Sequence, residues 1–435
     1  MNRPNIIYIH SHDTGRYIQP YGYAIPTPNM QRLAEEGVLF RKAFCAAPTC
    51  SPSRAALLTG QSAHSSGMTG LVNRGWSLAD YRQHIIHTLR DKAGYHATLI
   101  GVQHLAQDPQ TIGYDRVIKL PRNNMAHVGP AAKAFLENGP QQPFFLTVGV
   151  SEIHREFPEA GPDEDPRYCM PPAPLPDTPE TRQDMATFKA GARVLDEGIG
   201  LVLDALEANG LAENTLIINT TDHGVAFPGL KCNLTDHGIG VMLIMRGPGG
   251  FSGGKVIDGL VTQVDIFPTL CDLLEIEPPP WLQGRSIMPL VRGEADAVND
   301  QVFAEVSYHA AYEPKRAVRT KRYKYIRHYS DRARPVLPNC DDSLSKDVWL
   351  QSGWAGQTIE RERLYDLIFD PHETNNRAGD PALQHVLQDM RERLDRWMQE
   401  TNDPLLAREV VPAPATARVN DPNGLSPREP AYAPS

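Results

Sequence analysis

Residues 50–60 of the chain combine a cysteine, an arginine and the signals of a helix start. Pro52 suits the first position of a helix, and Gly60 suits its C-terminal end. Cys50 would therefore lie just before a helix N-terminus, where backbone N–H groups and the helix dipole favour anions. Arg54 would lie one turn inside, close enough to share that site. A buried and inert cysteine beside a helix cap is the alternative interpretation.

Two predicted strands each end in a histidine and an aspartate that are followed by a glycine turn. His12 and Asp13 follow the first apolar run of the chain. Asp222 and His223 follow a late apolar run. Because sites in α/β sheets form in loops beyond the carboxyl ends of the strands, both pairs would face that edge. Asp-Thr-Gly and Asp-His-Gly are also ordinary turn sequences, so either pair alone would more often be structural.

Short apolar runs alternate with helical patterns over much of the chain. The runs that indicate buried strands are residues 6–9, 97–100, 144–150, 215–219 and 241–245. Thr27 and Pro28 open one helix, and a second helix is predicted over residues 181–208. Strands that alternate with helices indicate an α/β domain with a largely parallel sheet.

The pattern changes near residue 300. Residues 316–327 alternate like an antiparallel, half-exposed strand pair, and a helix is predicted near 383–399. The last residues are rich in Pro, Ala and Arg, which indicates a tail that is disordered or wraps a partner subunit. The sequence thus predicts an α/β domain over 1–300, a smaller α+β domain over 301–400, and a tail over 401–435.

Composition argues against several classes of function. A net charge of −9 disfavours a general nucleic-acid binder, which needs a basic surface. The apolar run after the N-terminus is too short for a signal-peptide core, and no later stretch approaches a membrane span, so no membrane partner is expected. The six cysteines lack disulfide-like or zinc-like spacing. We therefore expect a cytoplasmic protein with reduced thiols.

Residues 50–60 resemble the signature of the sulfatase family, in which Cys-x-Pro-Ser-Arg precedes a Leu-Leu-Thr-Gly element. Residues 27–44 and 364–376 resemble further landmarks of that family, and the nearest branch is the heparan N-sulfatase (sulfamidase) group. The resemblance implies an alkaline-phosphatase-like α/β fold. Such a fold has a large, mixed and mostly parallel sheet flanked by helices, with a smaller C-terminal antiparallel-sheet domain.

The resemblance also implies the chemistry of Cys50. In sulfatases a formylglycine-generating enzyme oxidises this cysteine to formylglycine, and one hydroxyl of the hydrated aldehyde attacks sulfur. The covalent sulfo-enzyme intermediate breaks down when the second hydroxyl loses its proton and sulfate is expelled. One difficult displacement is thereby divided into two easier steps. Ser53 and Arg54 match family positions that support the modification and hold the nucleophile.

Sulfatases also bind one divalent metal ion, and the resemblance implies a ligand set of His12, Asp13, Cys50, Asp222 and His223. Such an ion would lower the pKa of the diol and neutralise sulfuryl oxygens. The family usually has Asp-Asp in the first pair and often Asp-Asn in the second, so both histidines depart from its pattern. Two imidazoles make calcium less favourable and manganese, zinc or iron more so. The ion stays open among calcium, manganese and zinc.

Three further positions match catalytic residues of the family. His104 matches the histidine that helps the diol expel sulfate, and His154 matches a second histidine near the leaving group. Lys231 matches a basic residue that contacts sulfate and the leaving oxygen. A proton donor near the leaving group and cations near the sulfuryl oxygens suit this reaction. Val102 stands where the family has a sulfate-binding lysine, so another cation replaces it or the substrate is differently charged.

The sequence therefore predicts a formylglycine- and metal-dependent hydrolase of sulfate esters, either aryl or carbohydrate sulfates and including sulfamates. Its substrate would be a small anionic ester, and we expect a homo-oligomer. His223 and the missing lysine at position 102 favour one alternative, a phosphonate monoester hydrolase or phosphodiesterase with the same nucleophile. A more distant alternative is a non-catalytic member of the fold that binds anionic ligands through an unmodified Cys50.

Overall fold

The computed structural model describes residues 3–408 and 410–434. The strands of its large sheet are β1 (Asn5–Ser11), β2 (Val38–Phe44), β3 (His96–Gly101), β4 (Arg116–Ile118), β5 (Phe144–Gly149), β6 (Thr215–Thr221), β7 (Gly240–Val241), β8 (Leu243–Arg246) and β9 (Lys255–Thr262). Their order is β4-β3-β5-β1-β6-β8-β2, with β7 and β9 also paired to β2. The strands from β4 to β6 in this order are parallel, and β8 is antiparallel to β6. The predicted mixed, mostly parallel sheet is confirmed.

The helices of the described residues are α1 (Pro28–Glu36), α2 (Cys50–Thr59), α3 (Ala63–Ser66), α4 (Ile85–Ala93), α5 (Met125–Glu137), α6 (Pro179–Ala208), α7 (Asp236–Ile239), α8 (Ile266–Leu273), α9 (Met288–Arg292), α10 (Leu344–Gln351) and α11 (Gln384–Glu400). Within residues 3–408 and 410–434, no helix combines the length and the apolar character of a membrane span.

Helices cover both faces of the large sheet. Ile6 and Tyr8 of β1 pack in the cluster that includes residues of α2, α4 and α8. Ile7 and Ile9 pack in the other cluster, with residues of α1, α5 and α6. Successive side chains of a strand point to opposite faces, and both faces of a parallel sheet are buried. This explains why the first predicted strand is a continuous apolar run.

A second, antiparallel sheet follows in the chain. Its strands are β10 (Gln301–Tyr308), β11 (Tyr312–Thr320), β12 (Tyr323–His328) and β13 (Glu362–Asp366), in that order. Helix α11 covers this sheet, because Leu387, Leu394 and Met398 pack against Val318 and Leu364. The N–H of residue 305 on β10 donates to the carbonyl of residue 46 over 2.9 Å, which joins the second sheet to the first domain. The smaller C-terminal antiparallel-sheet domain is therefore also present.

The C-terminal segment packs along its own chain. Two short strands, β14 (Val419–Asn420) and β15 (Ala431–Tyr432), form a hairpin within it. Val411 and Ala417 are buried, and Thr416 Oγ1 donates to the carbonyl of Gly75 over 2.7 Å. The sequence predicts that this tail is disordered or wraps a partner subunit. Its described residues meet partners within the chain, and apolar periodicity alone does not reveal these contacts.

Candidate active site

Cys50 is the first residue of helix α2, with Thr49 as its N-cap and Gly60 as its C-terminal cap in the left-handed conformation (φ 68°). The helix begins two residues earlier than predicted, at Cys50 rather than Pro52, because a proline is tolerated in a first turn whose N–H groups lack intrahelical partners. The cysteine is buried, and its Sγ lies 3.4 Å from Nε2 of His223. The predicted position of Cys50 at a helix N-terminus is confirmed.

The register of two strands brings the two acidic pairs together. Strands β1 and β6 are parallel neighbours, and Ser11 pairs with Thr221 at their carboxyl ends. The residues that follow leave the sheet side by side, so the N–H of Asp13 donates to Oδ1 of Asp222 over 2.9 Å. Asp13 has a left-handed backbone (φ 49°), and such conformations of non-glycine residues concentrate at functional sites.

Four of the five predicted metal ligands form one compact group. Their ligand atoms all lie within 4.8 Å of one another, and they are His12, Asp13, Cys50 and Asp222. Oδ1 of Asp13 is buried and receives no hydrogen bond from the described residues. A carboxylate oxygen in that state is costly unless a cation lies beside it. These residues therefore fit a divalent ion.

His223, the fifth predicted ligand, faces the same group. Its Nε2 lies 3.2 Å from Oδ1 of Asp13, and its Nδ1 lies 2.9 Å from the carbonyl oxygen of Gly224. A proton on Nδ1 that is donated to this carbonyl leaves the lone pair of Nε2 directed at the cluster, as in most metal-binding histidines. Nitrogen donors of this kind suit manganese or zinc better than calcium.

Arg54 lies one turn into α2, as predicted, and orients one carboxylate of the cluster. Its Nη2 donates to Oδ2 of Asp222 over 2.9 Å and to the carbonyl of Ser11 over 3.0 Å. Burial raises the pKa of Asp222, but the neighbouring imidazole of His223 and the charge of Arg54 outweigh this effect and hold the pKa well below its usual value. Arg54 thus keeps Asp222 ionised as well as oriented.

Lys231 lies between two carboxylates. Its Nζ is 3.0 Å from Oδ2 of Asp13 and 2.9 Å from Oδ2 of Asp341. Burial lowers the pKa of Lys231, but the charges of Asp13 and Asp341 outweigh this effect and hold the pKa well above its usual value. The ammonium group therefore remains charged at the edge of the cluster, where the sequence predicts a contact to sulfate. Val102 leaves its own position apolar.

The two remaining predicted histidines lie on either flank of residue 12. The ring centroids are 5.9 Å apart for His12 and His104, and 5.5 Å apart for His12 and His154. Burial and the charge of Arg54 lower the pKa of His104 to about 3, so this imidazole is neutral near pH 7. His154 is exposed, which places it at the mouth of the site. All the residues selected from the sequence therefore meet in one place.

Three residues of the site were not predicted from the sequence. His10 contacts the guanidinium of Arg54. A histidine directly after the apolar run of residues 6–9 was a sequence feature that could have indicated this role. Asp341 lies in the segment between β12 and α10 and belongs to no recognisable motif. His309 is buried in the turn between β10 and β11, where burial and the charge of Lys231 lower its pKa well below the usual value.

The arrangement is that of a hydrolase for anionic esters, because the buried cations and the metal-ligand group converge where negative charge would collect. The sulfatase family model matches residues 4–276. A second model, described as N-sulphoglucosamine sulphohydrolase, C-terminal, matches residues 231–339. The chain therefore belongs to the sulfatase family and is a sulfuric ester hydrolase.

Individual relatives support this assignment. Human N-sulphoglucosamine sulphohydrolase is 30% identical over 440 residues, which cover 88% of this chain and 87% of that protein. An ulvan-active sulfatase of Formosa agariphila is 26% identical, over 92% of this chain and 76% of that protein. A solved structure, described as in complex with its substrate D-glucosamine-2-N,6-O-disulfate, has a TM-score of 0.75 at 20% identity and covers 92% of this chain and 98% of its own. That structural likeness confirms the fold.

Proposed function

We propose that the protein hydrolyses sulfate esters or sulfamates of carbohydrates, with Cys50 converted to formylglycine. The observation that carries this proposal is the position of Cys50 in the same compact group as His12, Asp13 and Asp222. The human relative is named for N-sulphoglucosamine. A glucosamine that carries an N-sulfate group is therefore the substrate to test first.

The environment of Cys50 supports its conversion. Burial raises the pKa of the Cys50 thiol well above its usual value. A thiol that stays protonated is a poor nucleophile, so the unmodified side chain suits the attack on sulfur badly. Once a formylglycine-generating enzyme has acted, the hydrated aldehyde would supply a hydroxyl group as the nucleophile.

The charged residues have distinct parts in the proposal. A divalent ion held by His12, Asp13, Asp222 and His223 would neutralise charge on the sulfuryl oxygens. Arg54 keeps the carboxylate of Asp222 in place through the hydrogen bond of 2.9 Å. Lys231 donates to a sulfuryl oxygen or to the leaving atom. Position 102, where the family has a sulfate-binding lysine, is a valine in this chain. The side chains of Arg54 and Lys231 therefore supply the positive charge of the site.

The two histidines have opposite tasks in the proposal. His104, whose pKa of about 3 leaves it neutral near pH 7, accepts the proton that the nucleophile releases when sulfate departs. His154 is exposed at the mouth, where the carbohydrate would enter. It donates a proton to the departing oxygen or nitrogen. An alkoxide or an amide anion is a poor leaving group, so this proton matters most for sugars and sulfamates.

The proposal is tested with full-length protein produced together with a formylglycine-generating enzyme. We expect hydrolysis of N-sulfoglucosamine, of a glucosamine 6-sulfate and, more weakly, of an aryl sulfate, each measured as kcat/KM. Mass spectrometry of the peptide that contains residue 50 should show the aldehyde or its hydrate. The Cys50→Ala variant, with the same melting temperature, should be inactive.

Two results would contradict the proposal. A kcat/KM for phenyl phosphonate that exceeds those for all three sulfated substrates would favour the phosphonate monoester hydrolase instead. Full activity of a protein whose residue 50 carries a plain thiol would remove the formylglycine step. Activity of the Cys50→Ala variant would show that residue 50 is not the nucleophile.

A further inference from the structure

We propose that the C-terminal strap, defined as residues 416–432, forms one wall of the entrance to the active site and restricts the size of the carbohydrate that enters. This inference rests on the proposed function, because it concerns the substrate of the same site. It is carried by three anchors of the strap, each of which lies beside a residue of the site.

The first anchor lies beside Lys231. Ser426 Oγ of the strap donates to Oδ2 of Asp342 over 2.5 Å. Asp342 directly follows Asp341, whose carboxylate is 2.9 Å from Nζ of Lys231. The strap is therefore attached to the residue next to Asp341, whose carboxylate holds Lys231 in place.

The second anchor lies beside His154, on another loop. Nη2 of Arg428 donates to Oε1 of Glu156 over 2.7 Å, and Glu156 is two residues after His154. Nε of the same arginine is 3.9 Å from Oδ2 of Asp342. Arg428 thus connects the loop that carries His154 to the loop that supports Lys231. In this proposal, a substrate that reaches both His154 and Lys231 passes beside this connection.

The third anchor fixes the base of the strap. The N–H of Asn420 donates to the carbonyl of Ala310 over 2.8 Å, and Ala310 follows the buried His309. The N–H of Arg418 donates to the carbonyl of Arg74 over 2.9 Å. The guanidinium of Arg74 in turn donates to the carbonyl of Pro427 over 3.2 Å. Backbone contacts therefore hold the base of the strap against the rim of the site.

The base and the tip of the strap differ in how firmly they are held. At the tip, the side chain of Arg428 is 70% exposed and that of its partner Glu156 is 82% exposed, and exposed ion pairs contribute little to stability. Loss of the Arg428 side chain therefore opens the connection between the strap and the loop of His154, while Ser426 and Pro427 keep their own contacts and the base stays in place. Loss of this contact should admit oligosaccharides with further sugar units on both sides of the sulfated sugar. A monosaccharide should enter whether the contact is present or absent.

The experiment measures affinity by titration calorimetry on the full-length protein with unmodified Cys50, so turnover does not interfere. The probes are N-sulfoglucosamine and a tetrasaccharide whose N-sulfoglucosamine lies at an internal position. Wild-type protein should bind the monosaccharide at least about tenfold more tightly. Arg428→Ala and Glu156→Ala should each reduce this ratio by about threefold or more, with unchanged monosaccharide affinity and melting temperature. Arg82→Ala is the matched control, because the one ion pair of that exposed arginine among the described residues is with Asp80, at 3.2 Å.

The outcomes separate this inference from the proposed function. If wild-type protein binds both probes equally, or if the ratio is the same in Arg428→Ala as in Arg82→Ala, the strap does not restrict entry and the inference is overturned. If the monosaccharide binds and is hydrolysed by the converted enzyme in that case, the proposed function still stands. If neither probe binds and neither is hydrolysed, the proposed function fails and the inference fails with it.

Discussion

The guanidinium of Arg54 and the carboxylate of Asp222 form a buried ion pair, with Nη2 and Oδ2 separated by 2.9 Å. The other carboxylate oxygen of Asp222 accepts the N–H groups of Asp13 and His223, over 2.9 and 3.0 Å. Helix α2, which carries the proposed nucleophile, is thus attached directly to the strand end that carries two metal-ligand candidates. The position of residue 50 and the geometry of the metal site depend on each other.

This ion pair leads to a first prediction. Arg54→Lys should lower kcat/KM by about 10- to 100-fold, because lysine cannot donate to both Asp222 and the Ser11 carbonyl in the fixed geometry of a guanidinium. Bound metal, measured by mass spectrometry of the intact protein, should fall as well. Arg292→Lys is the control, since Arg292 forms an exposed pair with Asp272. Full activity and metal content in Arg54→Lys would show that the pair is not needed.

A second prediction concerns removal of the metal. Chelation should abolish activity and lower the melting temperature, because an ion that binds only the folded chain stabilises it by about 3 kcal/mol at 100 times its Kd. Manganese or zinc should restore both properties more effectively than calcium. In Asp13→Asn, which lacks one of the ligand carboxylates, the melting temperature should no longer respond to chelator. An equal response of wild type and Asp13→Asn would contradict the assigned site.

A third prediction separates the leaving group from the rest of the reaction. His154→Ala should lower kcat by about 100-fold or more for a carbohydrate sulfate or sulfamate, which needs a proton as it departs. The same variant should retain most of its activity towards a nitrophenyl sulfate, whose leaving group is stable as an anion. His385→Ala, a change of another exposed histidine, should affect neither substrate. A uniform loss with all leaving groups would show that His154 is not the proton donor.

A fourth prediction concerns pH. The pKa of His104 is lowered to about 3, chiefly by burial and then by the charge of Arg54, so its proton is lost well below pH 5. His104→Ala should therefore lower kcat by about 100-fold or more without changing the shape of the pH profile between pH 5 and 8. If an acid limb near pH 6.5 were present in wild type and absent in His104→Ala, His104 would titrate in that range and the assignment would be wrong.

A fifth prediction concerns the contact between the second sheet and helix α3 of the first domain. Oε1 of Glu305 accepts from Nδ1 of His64 over 2.8 Å, and Oε2 lies 3.4 Å from Nη2 of Arg316. Burial raises the pKa of Glu305, but the charges of His64 and Arg316 outweigh this and lower the pKa to about 2. Glu305→Gln should therefore lower the free energy of unfolding at pH 7 by about 3 kcal/mol.

The pH dependence of that loss follows from the direction of the shift. A carboxyl group whose folded pKa is depressed stabilises the protein above its unfolded pKa, and this contribution disappears as the pH falls through the folded value. The difference between wild type and Glu305→Gln should thus shrink between pH 4.5 and 2 in urea titrations. Glu197→Gln, a change of an exposed ion-paired carboxylate, should show almost no difference at any pH.

Much of the site was predictable because its residues lie in short, distinctive segments. The helix that starts at Cys50 and the turn residues after β1 and β6 are local features, which the types of neighbouring residues specify. Adjacent parallel strands have their carboxyl ends at the same edge of the sheet. Because β1 and β6 are neighbours, Asp13 and Asp222 lie close together at that edge.

Other features depend on how distant parts of the chain pack. Asp341 reaches Lys231 across 110 positions, and the strap reaches Glu156 across more than 270. No local propensity encodes such contacts, because they exist only after the second sheet has packed on the first and the tail has crossed the rim. Patterns of neighbouring residues thus specify the elements and the reactive groups of this sulfatase. The packing of its two sheets specifies which charges surround those groups, and the path of the C-terminal strap sets the size of the entrance to the site.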